Sequence, residues 1–305
     1  DLPKKAVVVM CADKGVVAQG VTQTGQDVTA IVTENMSKGD TSVCCMSRVA
    51  GAEVIPVDIG VAKPVTGARI RQKCVRRGTA DMTQGPAMTR EEAAQAVMTG
   101  LELVGELKEA GYRILATGEM GIGNTTTSSA IVSVLLGKEA AEVTGRGAGL
   151  STEGYQKKIA AVERAIALNR PDPADGLDVL HKVGGLDIAG LAGIFLGGAV
   201  HHIPVLVDGF ISSAAALTAA AICPACRDYM LGSHASNEPA GRMVLEALGL
   251  HPFLFAEMCL GEGTGAVAVM PLLEMGAAVY RGMCTFEATD TLILKYLIFQ
   301  QYHSV

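Results

Sequence analysis

Short apolar runs bounded by glycine alternate along the chain with longer stretches of helical period. Residues 7–10 read as a strand buried on both faces, ending at Cys11, Ala12, Asp13, Lys14 and Gly15; a second run over 53–59 ends at Gly60. Helical period fills residues 90–110, opened by Thr89 with Glu92 three positions on, the signature of a capped helix start. A strand over 113–116 leads into a glycine turn, and a helix-like run follows at 128–132. Residues 154–168 read as an amphipathic helix and 185–200 as a closely packed helix of small residues. A buried strand at 203–208 and helices over 212–222, 239–248 and 265–282 complete the pattern. Strands alternating with helices predict an α/β fold with a parallel sheet covered on both faces. Residues 69–86 follow neither period and read as a loop or small subdomain.

Ligands of such sheets bind beyond the carboxyl ends of the strands. Asp13, Asp58, Glu119 and Asp208 lie at or just past those ends, where they can face one cleft. For Asp58 and Asp208, stabilising a loop is the equal alternative.

Composition narrows the function. The 305 residues suffice for one large domain or a large and a small one, and at 49% hydrophobic they supply an ample core. Net charge is −6 and no long basic run occurs, so nucleic acid is excluded as a main partner. Arg69, Arg71, Lys73, Arg76 and Arg77 form one local cluster that reads as a solvated face or domain edge. The longest apolar region, 186–222, is interrupted by His201, His202, Pro204 and Asp208, which speaks against a membrane span. Eight cysteines without disulfide-like spacing suggest free thiols in a reducing cytoplasm, and Cys223 with Cys226 reads as ordinary thiols. The first residue is Asp1 rather than methionine, which leaves open a preceding piece of chain.

The candidate chemistry lies in two glycine turns. Gly118, Glu119, Met120, Gly121, Ile122, Gly123 and Asn124, followed by three threonines, join a strand to a helix. Free amides converge at such a turn, and the helix dipole favours an anion there. The turn lacks the lysine of a P-loop and the spacing of a dinucleotide fingerprint, but Asn124 and the hydroxyls suit a monophosphate. A phosphate cradle needs no acid, so Glu119 suggests chemistry or sugar binding beside the phosphate. The second turn, Leu260, Gly261, Glu262, Gly263, Thr264 and Gly265, again sets a carboxylate between glycines before a helix. Close backbone on both sides would desolvate Glu262 and make it a better base near neutral pH. Gly145, Gly147 and Gly149 can approach a ligand closely, and Lys157 or Lys158 can answer a phosphate. Ser233 beside His234 lacks the nucleophile elbow of a serine hydrolase.

Together these motifs resemble the nicotinate-nucleotide–dimethylbenzimidazole phosphoribosyltransferase family. The likeness runs through most of the chain. It is carried by residues 118–126 and 260–266, by Gly145, Arg146 and Gly147, by Val183, Gly184 and Gly185, by Asp208, Gly209, Phe210 and Ile211, and by Met283, Thr285 and Phe286. The resemblance implies a three-layer α/β/α enzyme with a small helical domain, usually dimeric. It implies a large nucleotide-binding domain over 1–280, with 60–100 a candidate loop or subdomain, and a segment 281–305 that joins the small helical domain or an interface.

The same resemblance makes Glu262 the catalytic base and Glu119 the second glutamate, near the ribose. It places Gly121, Ile122, Gly123, Asn124, Lys158 and Ser236 on the nucleotide and its phosphate, and Thr22, Thr24, Ile31 and Leu260 around the acceptor. The implied substrates are nicotinate mononucleotide and an aromatic base or phenol; the pyridinium is already a leaving group, so no metal or cofactor is required. The departures fall mostly near the acceptor. Lys14 replaces a usual histidine, Thr22, Gln23, Thr24 and Gly25 replace a Ser-x-Tyr-Pro run, and Ile31 replaces a glutamine. Ala148, Ala240 with Gly241, and Cys259 also depart from the pattern, and the N-terminal helical segment of the family is missing. Two expectations stand side by side. One is an active transferase with altered acceptor choice, as a homodimer or heterodimer; the other is a silent subunit that supports an active paralogue. The apolar stretch 292–299 reads as an interface element or as chain buried on its own subunit.

Overall fold

The computed structural model describes residues 4–285 apart from Ala148. The chain opens with strand β1 (Lys5–Ala12), then helices α1 (Asp27–Lys38) and α2 (Ser42–Ala50), then strands β2 (Ala52–Gly60) and β3 (Arg71–Gln72). Helix α3 (Arg90–Glu109) leads to β4 (Ile114–Met120) and α4 (Asn124–Leu136), followed by α5 (Ala140–Val143), α6 (Thr152–Asn169), α7 (Gly176–Val183) and α8 (Leu186–His201). Strand β5 (Val205–Val207), α9 (Phe210–Ile222), β6 (Met230–Gly232), α10 (Gly241–Leu248) and α11 (Thr264–Gly282) complete it. Short 3-10 helices occupy Gly15–Gln19 and Pro224–Tyr229.

All six strands are parallel, in the order β3-β2-β1-β4-β5-β6. β1 is buried at every position, as expected of a strand with both faces covered. Helix α8 lies along β1, β2, β4 and β5, with α3 packed on α8; α1 reaches β1, β2 and β4, and α2 reaches β2. The close packing expected of the small-residue helix is real. A β carbon on Gly100 of α3 would collide with the backbone carbonyl of Gly190 in α8. The start of α3 is fixed as its sequence predicts: the Thr89 hydroxyl accepts from the Glu92 amide and the Glu92 carboxylate accepts from the Thr89 amide. Such a cap is worth about 1 kcal/mol.

Two strand boundaries differ from the sequence expectation. β4 does not end at Ala116 but runs on through Gly118, Glu119 and Met120, so Glu119 stands on a strand rather than in a loop. β5 is shorter than 203–208. Residues 69–86 carry β3 and otherwise irregular chain that follows the end of β2. Lys73 and Val75 donate at 3.0 Å to the carbonyls of Asp58 and Ile59, and Thr79 donates to Asp13 at 3.1 Å. Most of the basic cluster there is spent on acids, while Arg69 donates to the Ser37 carbonyl at 2.6 Å. Arg77 meets the buried Asp58 at 2.7 Å, Lys73 meets Glu106 at 2.9 Å, and Arg76 meets Glu92 at 3.2 Å.

The chain divides into two compact units that part between Val269 and Met270. Of the second unit the described residues 270–285 carry the C-terminal part of α11, with Pro271 inside it. The stretch 292–299 and Phe286 lie outside the described residues. Among the described residues no helix is long and apolar enough to cross a membrane.

Candidate active site

From β1 the chain winds outward to β2 and β3, then returns to β4 and winds the other way through β5 and β6. Strand order therefore reverses between β1 and β4, and the loops leaving their carboxyl ends part to leave a crevice. A cavity of about 320 Å³ lies in the larger unit, lined by Glu119 and Met120 at the end of β4 and by Gly121, Ile122, Asn124 and Thr125 after it. Val32, Asp208, His234, Ser236, Glu238, Leu260 and Glu262 are also on its wall.

The two glutamates are brought together by backbone contact. A β carbon on Gly118 would collide with the carbonyl oxygen of Glu262, and one on Gly261 would stand 2.8 Å from a Glu119 carboxyl oxygen. Only glycine lets the β4 strand and the second turn approach this closely. Glu262 has φ of 61°, in the left-handed region that side chains other than Asn and Asp seldom adopt. One of its carboxylate oxygens accepts from the Val43 amide at 3.0 Å, at the start of α2.

Glu119 is the buried member, only 7% exposed. Burial first, then the carboxylates of Asp187 and Asp208, push its carboxyl up to about 8, against the opposing pull of Lys14 and the Asn124 amide. At neutral pH it is therefore mostly a neutral acid with a proton to donate. The Asn124 Nδ2 donates to one of its oxygens, which ties the opening residue of α4 to the end of β4.

Beneath this turn lies a charge pair that the sequence does not announce. Lys14 is wholly buried, and its ammonium meets Asp187 at the start of α8 and donates to the Ala12 carbonyl at 2.9 Å. A β carbon on Gly121 would strike the Lys14 ammonium. Lys14 is thus set under the turn and is absent from the cavity wall.

Lys158, in the middle of α6, is 1% exposed and reaches the same turn from outside the wall. Its ammonium donates to Thr125 Oγ1 at 2.7 Å and to the Gly145 carbonyl at 2.9 Å. Burial draws it down to about 8, and Glu238 nearby opposes this. Ser236 lines the cavity and accepts from the Glu238 amide at 3.4 Å. Lys157 points elsewhere, pairing with Glu153 at 2.7 Å.

The remaining acids divide. Asp208 lines the cavity, and its Oδ1 accepts from the Ala266 amide at 2.9 Å, so it joins the end of β5 to the start of α11. Asp58 holds the Val61 amide and Arg77, and Asp13 holds the Ala62 amide; neither is on the wall. Ser233 and His234 do pair, at 3.0 Å, but it is the imidazole that faces the cavity. Of the residues expected around the acceptor, Leu260 lines the cavity while Thr22, Thr24 and Ile31 do not. Thr22 donates to the Thr24 carbonyl at 2.9 Å, and Ile31 is 55% exposed on α1, whose next residue, Val32, is the one that faces in. Val32, Glu238 and Met258 are among the wall residues that sequence reasoning passes over, and His234 enters it only as a neighbour of Ser233. The register of α1 would find Val32, but no motif marks Glu238 or Met258.

These features coincide with what comparison finds. A phosphoribosyltransferase family model matches residues 1–290. A nicotinate-nucleotide–dimethylbenzimidazole phosphoribosyltransferase from Ruminiclostridium cellulolyticum is 49% identical over 282 residues, spanning 92% of this chain and 80% of that protein. The Escherichia coli protein of the same name is 44% identical over 292 residues, spanning 95% and 81%. The crystal structure of CobT from Thermus thermophilus superposes with a TM-score of 0.92 at 41% identity, covering 96% of this chain and 88% of that one. A matching six-stranded parallel sheet, paired glycine turns and near-complete alignment leave one conclusion: the chain belongs to the nicotinate-nucleotide–dimethylbenzimidazole phosphoribosyltransferase family.

Proposed function

We propose that this chain transfers the 5-phosphoribosyl group of nicotinate mononucleotide to an aromatic acceptor, a benzimidazole-type base or a phenol, and releases nicotinate. The observation that carries the proposal is the meeting of Glu119 and Glu262 in one cavity with the Gly121–Thr125 turn. Relatives named for nicotinate nucleotide and dimethylbenzimidazole support the choice of substrates. The bond from ribose C1′ to the acceptor forms as the bond to the pyridinium nitrogen breaks. The leaving pair neutralises that nitrogen, and the acceptor's N–H or O–H proton passes to Glu262. Attack opposite the leaving group gives the α-riboside.

Each residue has a physical part in this reading. The Val43 amide holds one Glu262 oxygen, which aims the carboxylate at the incoming ring. Neutral Glu119 offers its proton as a hydrogen bond to the ribose. Asn124 and Thr125 receive the phosphate at the start of α4, where the helix dipole helps, and the Lys158 charge stands behind Thr125. Val32, Ile122, Met258 and Leu260 give the acceptor an apolar wall. Alignment of the two substrates by these walls supplies rate through proximity.

The test is nicotinate release by the isolated chain with 5,6-dimethylbenzimidazole, and separately with phenol. Turnover by the wild type should fall about 10²-fold or more in Glu262→Gln, the scale of a lost general base. Product formed only after a paralogous chain is added, and indifferent to Glu262→Gln, would instead mark a silent subunit of a heterodimer.

A further inference from the structure

We propose that the carboxylate of Glu238 sits in the seat of the nucleotide's phosphate, and that mononucleotide binding takes up a proton there. The proposal deepens the reading above and rests on its placement of the phosphate beside Lys158.

Glu238 lines the cavity with Thr125, Gly147 and Ser236. Its Oε2 is buried and has no hydrogen-bond partner. A β carbon on Gly145 would collide with that oxygen, so the carboxylate lies flush against the 145–147 loop. The Gly145 carbonyl in turn accepts from Lys158, whose ammonium also holds Thr125. A β carbon on Gly147 would stand 3.2 Å from Thr125 Oγ1 and 3.4 Å from the Lys158 ammonium. One cation, one hydroxyl and one glycine loop thus converge on a point that already contains an anion. Burial holds the Glu238 carboxyl above its usual range, against the opposing pull of Lys158 and the Gly147 amide, so an added negative charge beside it readily draws a proton.

A phosphate monoester brings close to two negative charges at neutral pH. Lys158 offers only one positive charge, so phosphate and carboxylate cannot both lie beside it in a partly buried site. Transfer of a proton from solvent to Oε2 removes the conflict. It also turns an orphan acceptor into a donor for a phosphate oxygen. The other titratable groups on the cavity wall are Glu119, Asp208, His234, Cys259 and Glu262. Arg146, on the same loop, is turned away to the Leu150 carbonyl and the Tyr155 ring, and Arg242 on α10 pairs with Glu246.

The experiment is titration calorimetry of the full chain with nicotinate mononucleotide near pH 7.5, in two buffers of different ionisation enthalpy. Wild type should take up a proton on binding. Glu238→Gln should bind more tightly, by roughly tenfold for one like charge removed, and lose the larger part of that uptake, keeping only what the partly neutral Lys158 contributes. Weaker binding by both Glu238→Gln and Glu238→Ala, or proton uptake unchanged in Glu238→Gln, overturns the proposal. Ribose 5-phosphate serves as a second ligand. If it shows the Glu238 effect while no aromatic acceptor is ever ribosylated, the phosphate seat stands and the transferase reading falls. If the wild type ribosylates an acceptor while its phosphate affinity ignores Glu238, the transferase reading stands and the seat falls. Absence of phosphate binding to any form also rejects the seat.

Discussion

Gly118 packs so closely on the backbone of Glu262 that a β carbon on it would strike the Glu262 carbonyl oxygen, and through this approach the end of β4 fixes where the second glutamate stands. A methyl group cannot enter that space without moving one backbone. Gly118→Ala should therefore cost about 1–3 kcal/mol of stability, as overpacked sites do. It should lower turnover more than its stability loss explains, because Glu119 and Glu262 separate. Urea denaturation and nicotinate release on the same preparation check this; unchanged turnover in a destabilised protein would refute the coupling.

Glu119 carries its proton up to about pH 8, whereas the unfolded chain gives it up near 4.5. The folded state therefore binds more protons between these values, so this group's contribution to stability is present below pH 4.5 and is lost as pH rises towards 8. Glu119→Gln, neutral at every pH, should remove that downward slope, which totals a few kcal/mol. If Glu119 donates to the ribose, the variant should also lose an alkaline fall in kcat/KM near pH 8. Denaturation midpoints and rates across pH 5–9 provide both readings.

Lys158 gives the opposite sign. Its ammonium is drawn from 10.5 to about 8, so between those values the folded state binds fewer protons than the unfolded chain. Stability from this group grows as pH rises through the window. The stability of wild type relative to Lys158→Met should therefore increase from pH 8 to pH 10, while mononucleotide affinity of the wild type falls as the cation is lost. Denaturation series at fixed salt, paired with binding at the same pH values, measure the two trends.

The Lys14–Asp187 pair is wholly buried, and removing one member strands a charge. Lys14→Met should cost about 3–5 kcal/mol, whereas joint replacement of Lys14 by Met and Asp187 by Leu should recover most of it. A double-mutant cycle by urea denaturation tests this. Additive losses would show that the pair is not coupled.

What the sequence makes legible follows from where its signals are local. The strand, turn and helix around residues 113–132 carry their own punctuation, and the Thr89 cap is written in four residues. Gly118 reads as the end of a strand because glycine weakens strands, yet β4 continues through it to admit the Glu262 backbone, a demand made by distant chain. Helix α1 is hard to read because threonine and other β-branched residues fill its first half, and only packing against β1 and β2 settles it. The resemblance points to Thr22, Thr24 and Ile31 for the acceptor, and without the phase of that helix it passes over the wall residue, Val32, by one position. His234 and Glu238 enter the cavity from a stretch with no period, so only tertiary structure assigns them.

The reversal of strand order has a genetic corollary. Every cavity residue from Glu119 to Glu262 is encoded after β4 begins, while the portion before it supplies Val32 to the wall and the Val43 amide to Glu262. Of the side chains on the wall only Val32 is encoded before β4, so a change of ring specificity would fall largely on the later half of the message, where Ile122, Met258 and Leu260 stand among the residues proposed to hold the nucleotide.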